Sequence, residues 1–262
     1  WRNHTYYSDY AKFSLRYRCG EIKSPKKVIR RDDNSCLLNV SQIKTKQELR
    51  KLLWDILEKD WVKQNRVVYT KLFEGLRQSI NYASLREEWL DEAKVMPFMQ
   101  GLDFKKEDVV LDVGTGVMAL RAVSMADRVS VVYGTDTAPI AVREANKYIQ
   151  EKRIENIKLK LVCGTKIPFA SNFFDSVICS YVFRDLIADE MRVRMLRSIY
   201  RVLKPEGALN ILTYMPSSEN NLYWSNEEWK RYLMDVGFEV KPESIVAYQS
   251  ELRIEISVRK SG

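Results

Sequence analysis

The chain has 262 residues, 43 Lys and Arg against 35 Asp and Glu, a formal net charge of +8, one His and four Cys. Hydrophobic residues at 45% and charged residues at 30% describe a globular chain with a sizeable core rather than a disordered one. No apolar run reaches the roughly 18–20 residues of a membrane span, and the lone His with scattered cysteines makes neither a zinc set nor a disulfide framework.

The chain starts WRNHTYYSDYAKF, with no apolar signal-peptide segment and no initiator Met, so a trimmed N-terminus is expected. Residues 1–31 hold nine Lys and Arg against two Asp and Glu, which is +7 of the total charge. Trp1, Tyr6, Tyr7, Tyr10, Phe13 and Tyr17 are interleaved with them. Such a segment can bind RNA or lie on an anionic membrane surface; the plainer alternative is a solvated arm with docked aromatics. Structural thiols in a reducing compartment are the reading for Cys19, Cys36, Cys163 and Cys179, hence a cytoplasmic location, with membrane association through the arm as a variant.

Residues 11–18 alternate as a strand does, and VIRRDDNSCLLNV can return as a hairpin. Thr45 and Glu48 form a capping box ahead of LRKLLWDILEKDW, and two further helices are expected over residues 67–80 and 84–98. The resulting division is a basic aromatic extension over 1–45, a helical cap over 46–100 and an α/β domain over 101–262. From about residue 105, short apolar runs alternate with helical stretches: VVLDVG, VSVVYGTD, IKLKLVCG, FFDSVICSY and ALNILTYM, then FEVKPESIVAY and LRIEISVRK. The pattern predicts a doubly wound, Rossmann-like sheet of seven strands, the last antiparallel, with its ligand site at the carboxyl ends.

VVLDVGTGVMAL ends a buried strand with Asp112 and turns through Gly114 and Gly116 into a helix from Met118. Read as G-x-G-x-x-A, the turn fits a loose dinucleotide fingerprint. Asp136 ends the next strand, where a carboxylate can accept from a ribose diol. Asp112, just before the turn, suits a cationic amino group and would repel a pyrophosphate.

The set LDVGTG, YGTD, IPF…FFDSV and YRVLKPEG resembles the class I S-adenosylmethionine (SAM)-dependent methyltransferases in order and spacing, over about residues 100–262. The resemblance implies SAM as cofactor. It places Gly114, Thr115 and Gly116 around the amino-acid part, Asp112 at its ammonium, Asp136 and Thr137 at the ribose, and Gly164, Thr165, Lys166 and Ile167 at the adenine. It also brings Ser180 and Tyr181 to the cofactor. Met118 stands where the family has a third Gly, and Thr165-Lys166 where it has an acidic residue.

SYVFRDL, MLRSIYRVLKPEGALNILTYMPSS and LFEGLRQSINYASLREEWLDEA resemble the UbiE-like quinone C-methyltransferases more narrowly. That resemblance implies a small or lipid-like aromatic acceptor, such as a quinone precursor. The family's Leu-Arg-Asn reads Phe183-Arg184-Asp185 here, so the Arg carries over and the Asn does not. Arg184 can stabilise a phenolate and Asp185 can accept its proton; the alternative is an ion pair that only orders the loop. Tyr82 and Trp89 are the candidates to roof the acceptor pocket, with helix packing as their alternative. No metal is expected. Without an NPPY-like tetrapeptide or a Pro-Cys pair, DNA-base methylation is disfavoured. An RNA methyltransferase recruited by the arm, and a non-catalytic SAM-fold subunit within an oligomer or partner complex, remain alternatives.

Overall fold

The computed structural model describes residues 97–262 except 187, 217–222 and 250–252; upstream it describes Val62, Lys63, Arg66 and Thr70, all helical. The basic extension, its hairpin, most of the helical cap, and with them Tyr82 and Trp89, lie outside the described residues.

The continuous described stretch begins inside a helix, α1 (Pro97–Gln100), which buries Phe98 and Met99. The alternating part of the chain then forms β1 (Val109–Val113), α2 (Leu120–Met125), β2 (Val131–Asp136), α3 (Pro139–Glu151), β3 (Ile157–Leu161), β4 (Phe174–Ser180), α4 (Asp189–Val202) and β5 (Leu203–Tyr214). After these come α5 (Asn226–Val236), β6 (Phe238–Glu239), β7 (Ile245–Tyr248) and β8 (Arg253–Lys260). The sheet runs β3-β2-β1-β4-β5-β8-β6, with β7 also paired to β8. Strands β1 to β5 are parallel, and β8 is antiparallel to β5, Ala208 lying opposite Arg259 and Tyr214 opposite Arg253.

Expectation and structure agree on the doubly wound sheet, with two local differences. The run FEVKPESIVAY is two short strands on one side of β8, because Pro242 cannot donate to a ladder and sits in a 3-10 turn, Pro242–Ser244. Helix α4 stops at Val202, since Pro205 drives the residue before it out of the α region, and β5 begins at once, reaching register with β4 through a bulge.

Both sheet faces are covered, so the central strands are apolar almost throughout. Leu111, Val113, Val177, Cys179, Leu209 and Ile211 pack on one face against Met191, Leu196 and Ile199 of α4 and Trp229 and Leu233 of α5. Val110, Val132 and Ile178 pack on the other against Met99, Ala122, Met125, Ala145 and Ile149. Spacings of four and three residues along α4 set Met191, Met195, Ile199 and Val202 on one buried stripe. At the end of the sheet away from the carboxyl ends, Asp175 accepts the Val109 N–H at 2.9 Å and the Lys204 ammonium at 2.7 Å, locking β1, β4 and β5 together. No described helix is long and apolar enough to cross a membrane.

Candidate active site at the carboxyl ends of the strands

The β1–α2 turn is built to bring backbone close to a ligand. Gly114 and Gly116 both take left-handed backbone, with φ of 74° and 68°. A side chain at Gly114 would strike Val182, whereas the space in front of Gly116 is open. The Gly114 and Thr115 N–H groups donate to the Thr135 carbonyl at 2.7 and 3.0 Å, stitching the turn to β2. The helix starts at Leu120, two residues later than the spacing predicts, because Ala119 also takes a left-handed backbone (φ 51°). Met118 has no such requirement and is buried, so the missing third glycine leaves the turn its shape.

Asp136 closes β2 and accepts the Gly116 N–H on Oδ2 at 2.9 Å and the Ala138 N–H on Oδ1 at 2.8 Å. The Thr137 N–H adds a third backbone bond to this carboxylate, and of its roughly four acceptor positions that leaves one for a ribose hydroxyl. Burial holds this carboxyl above its ordinary value; the Ala138, Gly116 and Thr137 N–H groups oppose that, and the charge of Asp185 adds to it. Asp185, from the β4–α4 loop, is thus brought within electrostatic reach of the β2 carboxylate.

Asp112 is 1% exposed, and its Oδ2 has no hydrogen-bond partner. Burial pushes its carboxyl up to about 7, with the guanidinium of Arg121 acting against the shift. Arg121 donates from Nε to Ser180 Oγ at 3.3 Å, tying α2 to the end of β4. The sequence reading missed Arg121, although it is the one charged residue of the helix LRAVSM.

In the loop after β3, Gly164, Thr165 and Ile167 are buried while Lys166 is exposed, so the lysine side chain lies on the solvent side of the strand ends. Two residues of α4 hold this loop. Ser198 Oγ accepts the Ile167 N–H at 2.8 Å, and Arg201 donates to the Ile167 and Phe169 carbonyls at 2.6 and 2.7 Å. From the upstream helical residues, Arg66 donates from Nε to the Thr137 carbonyl at 2.7 Å. Ser198, Arg201 and Arg66 were not expected here; each reads in sequence as an ordinary polar helix position.

Across the sheet, β4 and β5 end in Tyr181 and Tyr214, whose rings lie 4.9 Å apart at 36°, with Tyr223 6.1 Å beyond Tyr214. Tyr181 has φ of 59°, an uncommon conformation for a residue with a side chain. The Arg184 guanidinium lies over Tyr181 and Tyr214, at 5.6 and 5.7 Å, and pairs with Asp185 at 3.4 Å. Buried Arg192 of α4 reaches the Phe183 carbonyl at 3.4 Å, and the Phe183 ring sits edge-on to Trp229 at 5.0 Å, anchoring this loop from beneath. The structure sets Asp112, Gly114 to Gly116, Asp136 and Ser180 along the carboxyl ends of β1, β2 and β4, with Asp185 within electrostatic reach of Asp136 and the Lys166 side chain out in solvent. Among the described residues no cluster of His, Cys, Asp and Glu could hold a metal ion. A cleft beside Thr115, Gly116 and Asp136 is lined on its other sides by Gly134, Ala141, Val142 and Leu159.

An orphaned buried carboxylate oxygen, an open approach to Gly116 and a spare acceptor position on Asp136 fit the ammonium, amino-acid stem and ribose of SAM. Comparison with known proteins agrees. Residues 111–211 match the family described as Methyltransferase domain. The demethylmenaquinone methyltransferase of Listeria welshimeri is 29% identical over 178 residues, 63% of this chain and 70% of that protein. The uncharacterized methyltransferase YcgJ of Bacillus subtilis is 29% identical over 103 residues, 39% of each chain. Its crystal structure covers 66% of this chain and 99% of its own, with a TM-score of 0.55 at 17% identity. The α/β part of this chain thus carries a methyltransferase domain over residues 111–211, similar to those of the class I SAM-dependent methyltransferases.

Proposed function

We propose that the protein methylates a small or lipid-like aromatic acceptor that carries an ionisable hydroxyl, as a quinone precursor does. The observation that carries this reading is the stack of Tyr181, Tyr214 and Tyr223 under Arg184 at the ends of β4 and β5. These mutually tilted rings offer an aromatic wall to an aromatic acceptor, and the guanidinium offers a charge to its oxygen. The Listeria relative, named for demethylmenaquinone, lends the same acceptor class.

Bound SAM supplies an electrophilic methyl group on a sulfonium. The chain's residues hold the partners in line and keep water out. Gly114 to Gly116 and Asp136 fix the cofactor side. On the acceptor side, Asp185 takes the hydroxyl proton and Arg184 holds the resulting phenolate, which makes the ring carbons and the oxygen nucleophilic. Residues 1–31, with a charge of +7, would recruit the protein to an anionic surface where a lipid-like acceptor resides.

The test is methyl transfer from labelled SAM to a naphthoquinol bearing a short isoprenoid tail, set against transfer to bulk RNA. Transfer to the quinol, with acceptor KM raised about tenfold or more by Tyr214→Ala, is the expected result. Transfer to RNA alone would replace this acceptor with the one suited to a basic arm.

A further inference from the structure

We infer that Arg121 is a cofactor-binding residue, the cation that receives the carboxylate of SAM's amino-acid end. The inference rests on the SAM reading of the site and adds a residue outside the glycine turn.

An amino-acid end is a zwitterion and needs one anion and one cation side by side. The carboxyl end of β1 supplies both. Asp112 is 1% exposed and its Oδ2 accepts from nothing in the protein. Arg121, on the first turn of α2, is partly buried and bonds through Nε to Ser180 Oγ at the end of β4. The two side chains feel one another's charge, each favouring the other's ionised form.

A guanidinium that served only to neutralise Asp112 would close on the orphaned oxygen. This one is spent instead on the hydroxyl of Ser180, which holds it at the rim of the site. One Nε bond leaves the Nη pair as a planar fork, the geometry that grips a carboxylate through two parallel bonds. Asp112 is left for the ammonium and Arg121 for the carboxylate, so the free protein already has the complementary pair in place.

Calorimetry on the full chain tests this with three ligands: SAM, decarboxylated SAM, which keeps the ammonium, and 5′-methylthioadenosine, which has neither group. The intact protein should prefer SAM over decarboxylated SAM by roughly ten- to hundredfold, the range of a hydrogen bond to a charged group. Arg121→Met should abolish that preference by weakening SAM alone, with decarboxylated SAM bound as before, and Arg121→Lys should keep part of it. Equal binding of the two ligands by the intact protein would overturn the inference without needing any variant to fold. So would an equal loss for both in Arg121→Met. Failure of the intact protein to bind SAM at all would instead overturn the cofactor reading beneath it.

Discussion

Arg66 donates from Nε to the Thr137 carbonyl at 2.7 Å, which fastens a residue from outside the matched domain onto the turn carrying Asp136. Val62, one helical turn earlier, is 3% exposed and packs in the same core cluster as Val113 and Ile167, which flank the cofactor turn and the loop after β3. Val62 and Arg66 thus pack against the elements that carry Asp136 and the glycine turn. Arg66→Ala should weaken SAM binding several-fold, the loss of one charge-assisted bond that steadies Thr137. Calorimetry checks this, and an unchanged dissociation constant would make the contact incidental.

Asp136 organises the turn, and in the proposed site it also accepts from the cofactor. Asp136→Ala strands the Gly116 and Ala138 N–H groups, which should cost about 1–3 kcal/mol of stability. It should also weaken SAM by ten- to hundredfold. Asp136→Asn keeps one carbonyl acceptor and should fall between the two on both measurements. Denaturant melts and calorimetry read the two effects separately.

Asp112 gives the site a pH dependence whose sign follows from burial. Its carboxyl titrates near 7 in the free protein and near 3.8 when exposed, with Arg121, Asp136 and the Cys179 thiol as its charged or titratable neighbours. The folded state therefore holds a proton that the unfolded chain has released between these values. This stabilisation is complete below about pH 3.8 and is lost as pH rises through about 7. Binding an ammonium needs the ionised form, so SAM affinity should drop roughly tenfold per unit below pH 7. Asp112→Asn should raise the melting temperature of the cofactor-free protein at pH 8 and flatten the affinity profile while weakening it.

Arg192 supports the acceptor loop from beneath. It is 3% exposed, reaches the Phe183 carbonyl and lies over the Trp224 ring at 5.4 Å. Arg192→Met keeps the bulk and removes the donor, and it also leaves Asp189 without its cation. A lower kcat with SAM affinity unchanged is expected, because only the loop bearing Arg184 and Asp185 loses its support. An equal loss in both would mean the whole fold had loosened.

The sheet was legible in the chain because each parallel strand is a short apolar run with a helix between it and the next. Buried strands tolerate little else, and period-two alternation then divides their side chains between two covered faces. Asp112 and Asp136 could be placed for the same reason, since each ends such a run where the fold puts its ligands. What stayed hidden involves pairs distant in sequence. Arg66 meets Thr137 across 71 positions, Arg121 meets Ser180 across 59, and Tyr181 and Tyr214 become neighbours only because β4 and β5 pair in register. An arginine on a helix reads in sequence as a solvated charge, and a tyrosine at a strand end as a rim residue. Only packing the helices onto the sheet sets the guanidinium groups over particular carbonyls, hydroxyls and rings. Local periodicity therefore determined the scaffold and the places of Asp112 and Asp136 at its strand ends. Tertiary contact decided the cations, because a buried charge takes its role from whatever the fold places opposite it.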